Sequence, residues 1–99
     1  MFEPDNVKCN ESSINYNIVF KHGHQAGRFQ KVNGINDMAS CIGKCCNTKD
    51  CDVAFMSRDN CYMVDCKSFE SCVTKHLARP KYETMVSFVS RSNKNHACK

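Results

Sequence analysis

Residues 41–72 read CIGKCCNTKDCDVAFMSRDNCYMVDCKSFESC and hold seven of the nine cysteines, Cys41, Cys45, Cys46, Cys51, Cys61, Cys66 and Cys72. Cys9 lies far upstream and Cys98 close to the end. Crosslinks at this density can replace core that a chain of 99 residues is too short to build. The fold is therefore read as α+β, with strands and loops gathered around a stapled helix and hairpin.

Between Asp37 and Cys46 the positions Met38, Cys41, Ile42 and Cys45 recur at steps of three and four, the spacing of one helix face. Asn36 or Asp37 can cap the N-terminus by accepting a backbone N–H bond, and Asn47 is a suitable C-terminal stop. Gly43 costs on the order of 1 kcal/mol relative to alanine, so a helix this short is expected to depend on its crosslinks and packing. Cys41 and Cys45 share a face. Cys46 is rotated about 100° from Cys45, so the adjacent pair must reach different partners.

Asp52 to Ser57 and Cys61 to Cys66 are apolar-rich runs joined at Arg58-Asp59-Asn60, the pattern of a β-hairpin. A three-residue loop would set Ser57 against Cys61 and place Cys51, Val53, Phe55, Cys61 and Met63 on one face, with Tyr62, Val64 and Cys66 on the other. A two-residue loop would put Cys51 and Cys61 on opposite faces. The longer loop is preferred, because it lets both cysteines meet the helix. Tyr62 and Val64, with Met56 beside them, then form an outward apolar patch, a candidate protein contact unless Cys9 and the Cys66 to Cys72 loop cover it.

Outside this stretch, Met1 to Lys8 is expected to be a loose arm, residues 9–91 the domain, and 92–99 a polar tail. Tyr16 to Phe20 and Arg28 to Val32 are candidate strands, the second followed by the turn-forming Asn33-Gly34. Val73 to Lys81 reads as an irregular basic loop, and Thr84 to Ser90 as the last strand. Val86 and Phe88 would share a face of it, suited to a sheet covered by the helix.

Cysteine at about 9% of residues is typical of short secreted scaffolds and fits an oxidising compartment rather than a reducing cytosol. Asn10-Glu11-Ser12 satisfies the acceptor pattern for N-glycosylation at Asn10. No secretion signal opens the sequence and no apolar run could span a membrane, so the chain is expected to be a domain of a larger protein. The net charge of +4 is uneven: residues from Lys75 onward carry +5 and residues 1–74 carry −1. Lys75, Arg79, Lys81 and Arg91 are the candidate anion-binding cluster, for heparan sulfate or an acidic protein face, if they are more than a solvated edge.

The spacing C-x3-C-C-x4-C-D-x-A-F followed by C-Y-M-V-x-C-x5-C resembles the MANSC domain, the "motif at the N-terminus with seven cysteines" found in hepatocyte growth factor activator inhibitors and dyslexia-associated membrane proteins. Val86 to Arg91, VSFVSR, looks like that family's closing strand, and Cys9 fits its leading cysteine. The resemblance implies a PAN/apple-like fold, in which an antiparallel sheet cradles one short helix. It also implies Cys41 with Cys61 and Cys45 with Cys51, with Cys46–Cys66 and Cys9–Cys72 the preferred outer pairs. Eight cysteines allow 105 pairings. Cys98 departs from the family pattern and is expected to be unpaired or intermolecular.

No competing chemistry stands out. Zinc would use close C-x2-C pairs, which do not occur, and His22, His24, His76 and His96 are scattered. Asp50, Asp52, Asp59 and Asp65 lack the alternation and closing glutamate of a calcium loop. A nucleophile with its base and orienting carboxylate is not evident, and the scattered glycines form no phosphate loop. The expectation is a noncatalytic extracellular protein–protein recognition module of a secreted or single-pass membrane protein, without cofactor, nucleic acid or membrane insertion. Its partners would be a protein ligand or neighbouring domains of the parent. A glycosaminoglycan-binding module is the alternative.

Overall fold

The computed structural model describes residues 7–79 and 83–93, with side chains for residues 9–79 and 83–90. Eight strands and one α-helix follow in order: β1 (Val7–Glu11), β2 (Asn15–Tyr16), β3 (Ile18–Phe20), β4 (Gly27–Val32), α1 (Met38–Cys46), β5 (Val53–Ser57), β6 (Asn60–Cys66), β7 (Thr74–His76) and β8 (Thr84–Asn93). Short 3-10 turns at Gly23–Ala26 and Glu70–Cys72 complete the elements among the described residues. The main antiparallel sheet has the order β1-β8-β5-β6-β4, and β2 also pairs with β8. Strands β3 and β7 form a separate two-stranded ribbon. The chain is thus a small α+β, disulfide-rich domain with an antiparallel sheet and one helix.

Helix α1 starts where the Asp37 side chain accepts the Ser40 N–H at 2.9 Å. That bond satisfies one of the helix's free donors and holds the exposed Asp37 carboxyl below its ordinary pKa. Asn47 terminates the helix, its N–H shared between the carbonyls of Gly43 and Lys44. Met38, Cys41, Ile42 and Cys45 form the buried face and pack on Ala54, Met56, Cys61, Met63 and Val89 of the sheet.

The hairpin differs from its expected register. Ser57 faces Asn60 and Met56 faces Cys61, so the loop is Arg58-Asp59, with both residues in the left-handed region at φ 53° and 65°. A two-residue loop of this kind matches the right-handed twist of its strands. Its expected penalty, Cys51 and Cys61 on opposite faces, does not arise. Strand β5 begins only at Val53, and the Cys51 N–H bonds back to the Thr48 carbonyl, which leaves Cys51 outside the alternation and free to turn toward α1. Ala54 and Met56 therefore face the helix, while Val53 and Phe55 take the other side.

The same parity governs β8, where Val53 pairs with Phe88 and Phe55 with Val86. Val89 packs beneath the helix and Val86 on the opposite face, so the expected helix-facing role of Val86 and Phe88 is reversed. On that opposite face a second core gathers Ile18, Phe20, Ala26, Val53, Val64, Cys72 and Val86 under the β3–β7 ribbon. Phe20 meets Phe29 and Phe55 edge-on at centroid distances of 5.4 and 5.3 Å, a favourable quadrupole geometry.

Further expectations change. Tyr16 to Phe20 is not one strand: Asn17 at φ 59° turns the chain from the edge of β8 into the ribbon. The stretch expected to be irregular contains β7, whose polar Thr74-Lys75-His76 pairs with Phe20-Val19-Ile18. Pairing with β1 also begins at Val7, ahead of Cys9, and β8 runs through Ser92 and Asn93.

A candidate recognition surface beside a crosslinked loop

Four disulfides tie the layers together. Cys41–Cys61 and Cys45–Cys51 join α1 to β6 and to the approach to β5. The outer pairs are Cys9–Cys46 and Cys66–Cys72, in place of the expected Cys46–Cys66 and Cys9–Cys72. The reason is topological: β1 is the edge strand beside β8, and its Cys9 side chain faces the helix side of the sheet, where α1 contributes Cys46. Cys66 and Cys72 belong to the opposite face, with the sheet between them and Cys46. Cys98 lies outside the described residues.

The expected contact patch is not a surface. Met56 is 1% exposed against the helix, Val64 is 0% exposed in the other core, and Tyr62 is half-buried beside Phe55. The two-residue hairpin loop sends Met56 to the face opposite Tyr62 and Val64, so the three cannot act together. Of the basic cluster, Lys75 and Arg79 are exposed. Lys81 and the Arg91 side chain lie outside the described residues. Among the described residues no group of three or more His, Cys, Asp or Glu side chains converges as a metal site. No helix among them is long and apolar enough to cross a membrane.

The exposed aromatic surface lies elsewhere. Phe69 is 94% exposed at the tip of the loop closed by Cys66–Cys72. That loop is held at several points. The Ser71 hydroxyl donates to the Ala26 carbonyl at 2.6 Å, the Lys67 N–H donates to the same carbonyl at 3.0 Å, and Ser68 and Ser71 exchange side-chain-to-backbone bonds. Beside the loop runs a predominantly apolar groove of about 660 Å³, bordered by Asn10, Ser12, Asp52, Phe69, Phe88 and Ser90. Phe88 is 38% exposed there. Asn10 is exposed on β1, opposite Ser90 of β8.

Neither Phe69 nor Phe88 was singled out as a surface residue from sequence. The available signal was Phe69 among polar neighbours, Lys67-Ser68-Phe69-Glu70-Ser71, inside a short segment bounded by cysteines.

Fold and surface together define a small, disulfide-crosslinked α+β module. The chain belongs to the family of the Dyslexia-associated protein KIAA0319 N-terminal domain, which matches residues 6–93. It is similar to the human Dyslexia-associated protein KIAA0319, 27% identical over 70 residues, covering 71% of this chain and 6% of the relative. It is also similar to the rat Dyslexia-associated protein KIAA0319 homolog, 25% identical over 65 residues, covering 66% of this chain and 6% of the relative. The chain thus spans only a small fraction of these relatives' length. No solved structure matches it.

Proposed function

We propose that the chain is a noncatalytic, extracellular recognition module of a larger secreted or membrane-anchored protein, of the MANSC and PAN/apple-like kind. The observation that carries this reading is an aromatic side chain, Phe69, held almost fully in solvent by a loop that is both disulfide-closed and hydrogen-bonded to the Ala26 carbonyl of the 3-10 turn before β4. Leaving that ring wet has no folding benefit, and a rigid mount lowers the ordering cost when a partner covers it. Disulfide density supports the extracellular setting. Membership of an N-terminal domain family supports a module of a longer protein; the partner proposed for it is protein, including the rest of its own parent chain.

The test is binding of the 99-residue chain to the remaining extracellular part of its parent, measured by interferometry for wild type and Phe69→Ser at two salt concentrations. A central aromatic anchor is worth about 2 kcal/mol or more, so the variant is expected to bind at least tenfold more weakly, with little salt dependence. Equal binding by the two proteins would contradict the reading. Steeply salt-dependent retention on heparin, abolished by charge reversal at Arg79 and Lys81, would replace it with glycosaminoglycan binding.

A further inference from the structure

The groove beside β1 carries a sequence motif that the fold leaves unused, Asn10-Glu11-Ser12. Strands β1 and β8 pair Asn10 with Ser90 and Glu11 with Val89. The next step sets Ser12 against Phe88: the Ser12 N–H donates to the Phe88 carbonyl at 2.8 Å, and the Ser12 hydroxyl accepts the Phe88 N–H at 2.9 Å. Alternation then puts Asn10, Ser12, Phe88 and Ser90 on one face, with Val89 turned under the helix. Asn10 and Phe88 are diagonal cross-strand neighbours, about 7–8 Å apart in such a pair. The residues between them are small, since Ser12 is drawn down onto the backbone and Ser90 is short. Asn10 is exposed, and its side-chain amide makes no hydrogen bond among the described residues.

We propose that Asn10 carries an N-linked glycan whose first N-acetylglucosamine lies in this groove, against the Phe88 ring. The inference rests on the extracellular reading, because the transfer occurs on the secretory route. In that transfer the Asn10 amide nitrogen bonds the anomeric carbon of an oligosaccharide carried on a lipid diphosphate. The anomeric C–O bond breaks, the lipid diphosphate leaves with its electron pair, and the nitrogen gives one proton to a base of the transferring enzyme. Ser12 meets the hydroxyl requirement at the third position. An exposed, unpaired acceptor amide, an aromatic ring one diagonal away and small residues between them suit a sugar ring, which presents an apolar C–H face to the aromatic and hydroxyls to water. The occupant also accounts for Phe88, a large apolar residue 38% exposed in the middle of β8.

The experiment is secretion of the chain from cells competent for N-glycosylation, followed by peptide mass spectrometry, nonreduced disulfide mapping and trimming to a single N-acetylglucosamine. Thermal unfolding is compared with and without that sugar, in wild type and in Phe88→Ser. Occupied Asn10 is expected, with a fall of about 4 °C or more on sugar removal in wild type and no fall in Phe88→Ser. Because Phe88→Ser could unfold, contacts between the acetyl methyl group and the Phe88 ring protons are also sought by NMR in the unmutated protein, and are expected. An unoccupied Asn10 in fully disulfide-bonded protein overturns the inference and leaves the extracellular reading standing. Free thiols among the eight cysteines of the four disulfides in secreted protein would remove both. Occupancy with equal Tm changes in the two proteins, or without ring contacts, overturns the groove placement.

Discussion

Gly27 is where a single added carbon would do most damage. A Cβ there would fall on the backbone carbonyl of Asp65, because β4 and β6 pair Gly27 with Cys66 next to the crosslinked loop. Gly27→Ala is expected to lose about 1–3 kcal/mol, read from the urea midpoint, and to weaken the anchorage of the Cys66–Cys72 loop. At the hairpin tip the effect has the other sign. Asp59 holds a left-handed φ of 65° that costs a side-chain-bearing residue more than glycine, so Asp59→Gly should stabilise by roughly 0.5–1 kcal/mol. Asp37 shows what could be read locally. A cap at Asn36 or Asp37 was legible from Asx residues ahead of a periodic run, and the structure uses Asp37. The two-residue turn was disfavoured because strict alternation would part Cys51 from Cys61, an alternation that Cys51 escapes by lying ahead of β5. The Asp37 carboxyl is held below its ordinary pKa chiefly by the Ser40 backbone N–H. Its contribution is therefore fully present above the unfolded value of about 3.9 and is lost as pH falls through the lower folded value. Asp37→Asn keeps an acceptor for the cap and should flatten that acidic limb of the stability profile.

Among the elements, those with periodic apolar residues were legible and those fixed by a partner were not. Helix α1, β4, β6 and β8 announce themselves through spacing or β-branched residues. Strand β7 has the sequence Thr-Lys-His and is defined by its bonds to β3, and the break at Asn17 becomes visible only when β2 and β3 are seen to have different partners. One slipped residue at the Arg58-Asp59 turn was enough to invert β5, and the expected Met56, Tyr62 and Val64 patch fell with it. The crosslinks differ in what they secure. Cys9–Cys46 closes a separation of 37 residues, and Cys66–Cys72 closes one of 6. Chain-entropy reasoning assigns the first about 4 kcal/mol and the second about 2. Replacing both cysteines of each pair with serine should therefore lower the denaturation midpoint more for Cys9/Cys46 than for Cys66/Cys72. The reverse order would mean that the short loop has a larger role in the fold than its entropy.

At the scale of the molecule, the sheet is covered on one face by a short helix and on the other by a two-stranded ribbon, so neither core is thick. The two buried polar side chains of β8 are satisfied within this arrangement: Thr84 donates to the Ile18 carbonyl at 2.8 Å and Ser87 to the Ser12 carbonyl at 2.9 Å. Covalent links then supply what burial alone cannot in a chain of this size, and reduction should abolish the cooperative unfolding transition at 37 °C. The sequence pattern disclosed that dependence from its cysteine density. It did not disclose which outer cysteines meet, because that follows from Cys9 of the edge strand β1 facing the side of the sheet that α1 covers, a long-range placement. The most direct measurement is a mass-spectrometric disulfide map of the nonreduced, secreted chain. The structure predicts Cys9–Cys46, Cys41–Cys61, Cys45–Cys51 and Cys66–Cys72. Peptides joining Cys46 to Cys66 or Cys9 to Cys72, or free thiols among these eight with bound zinc, would contradict it.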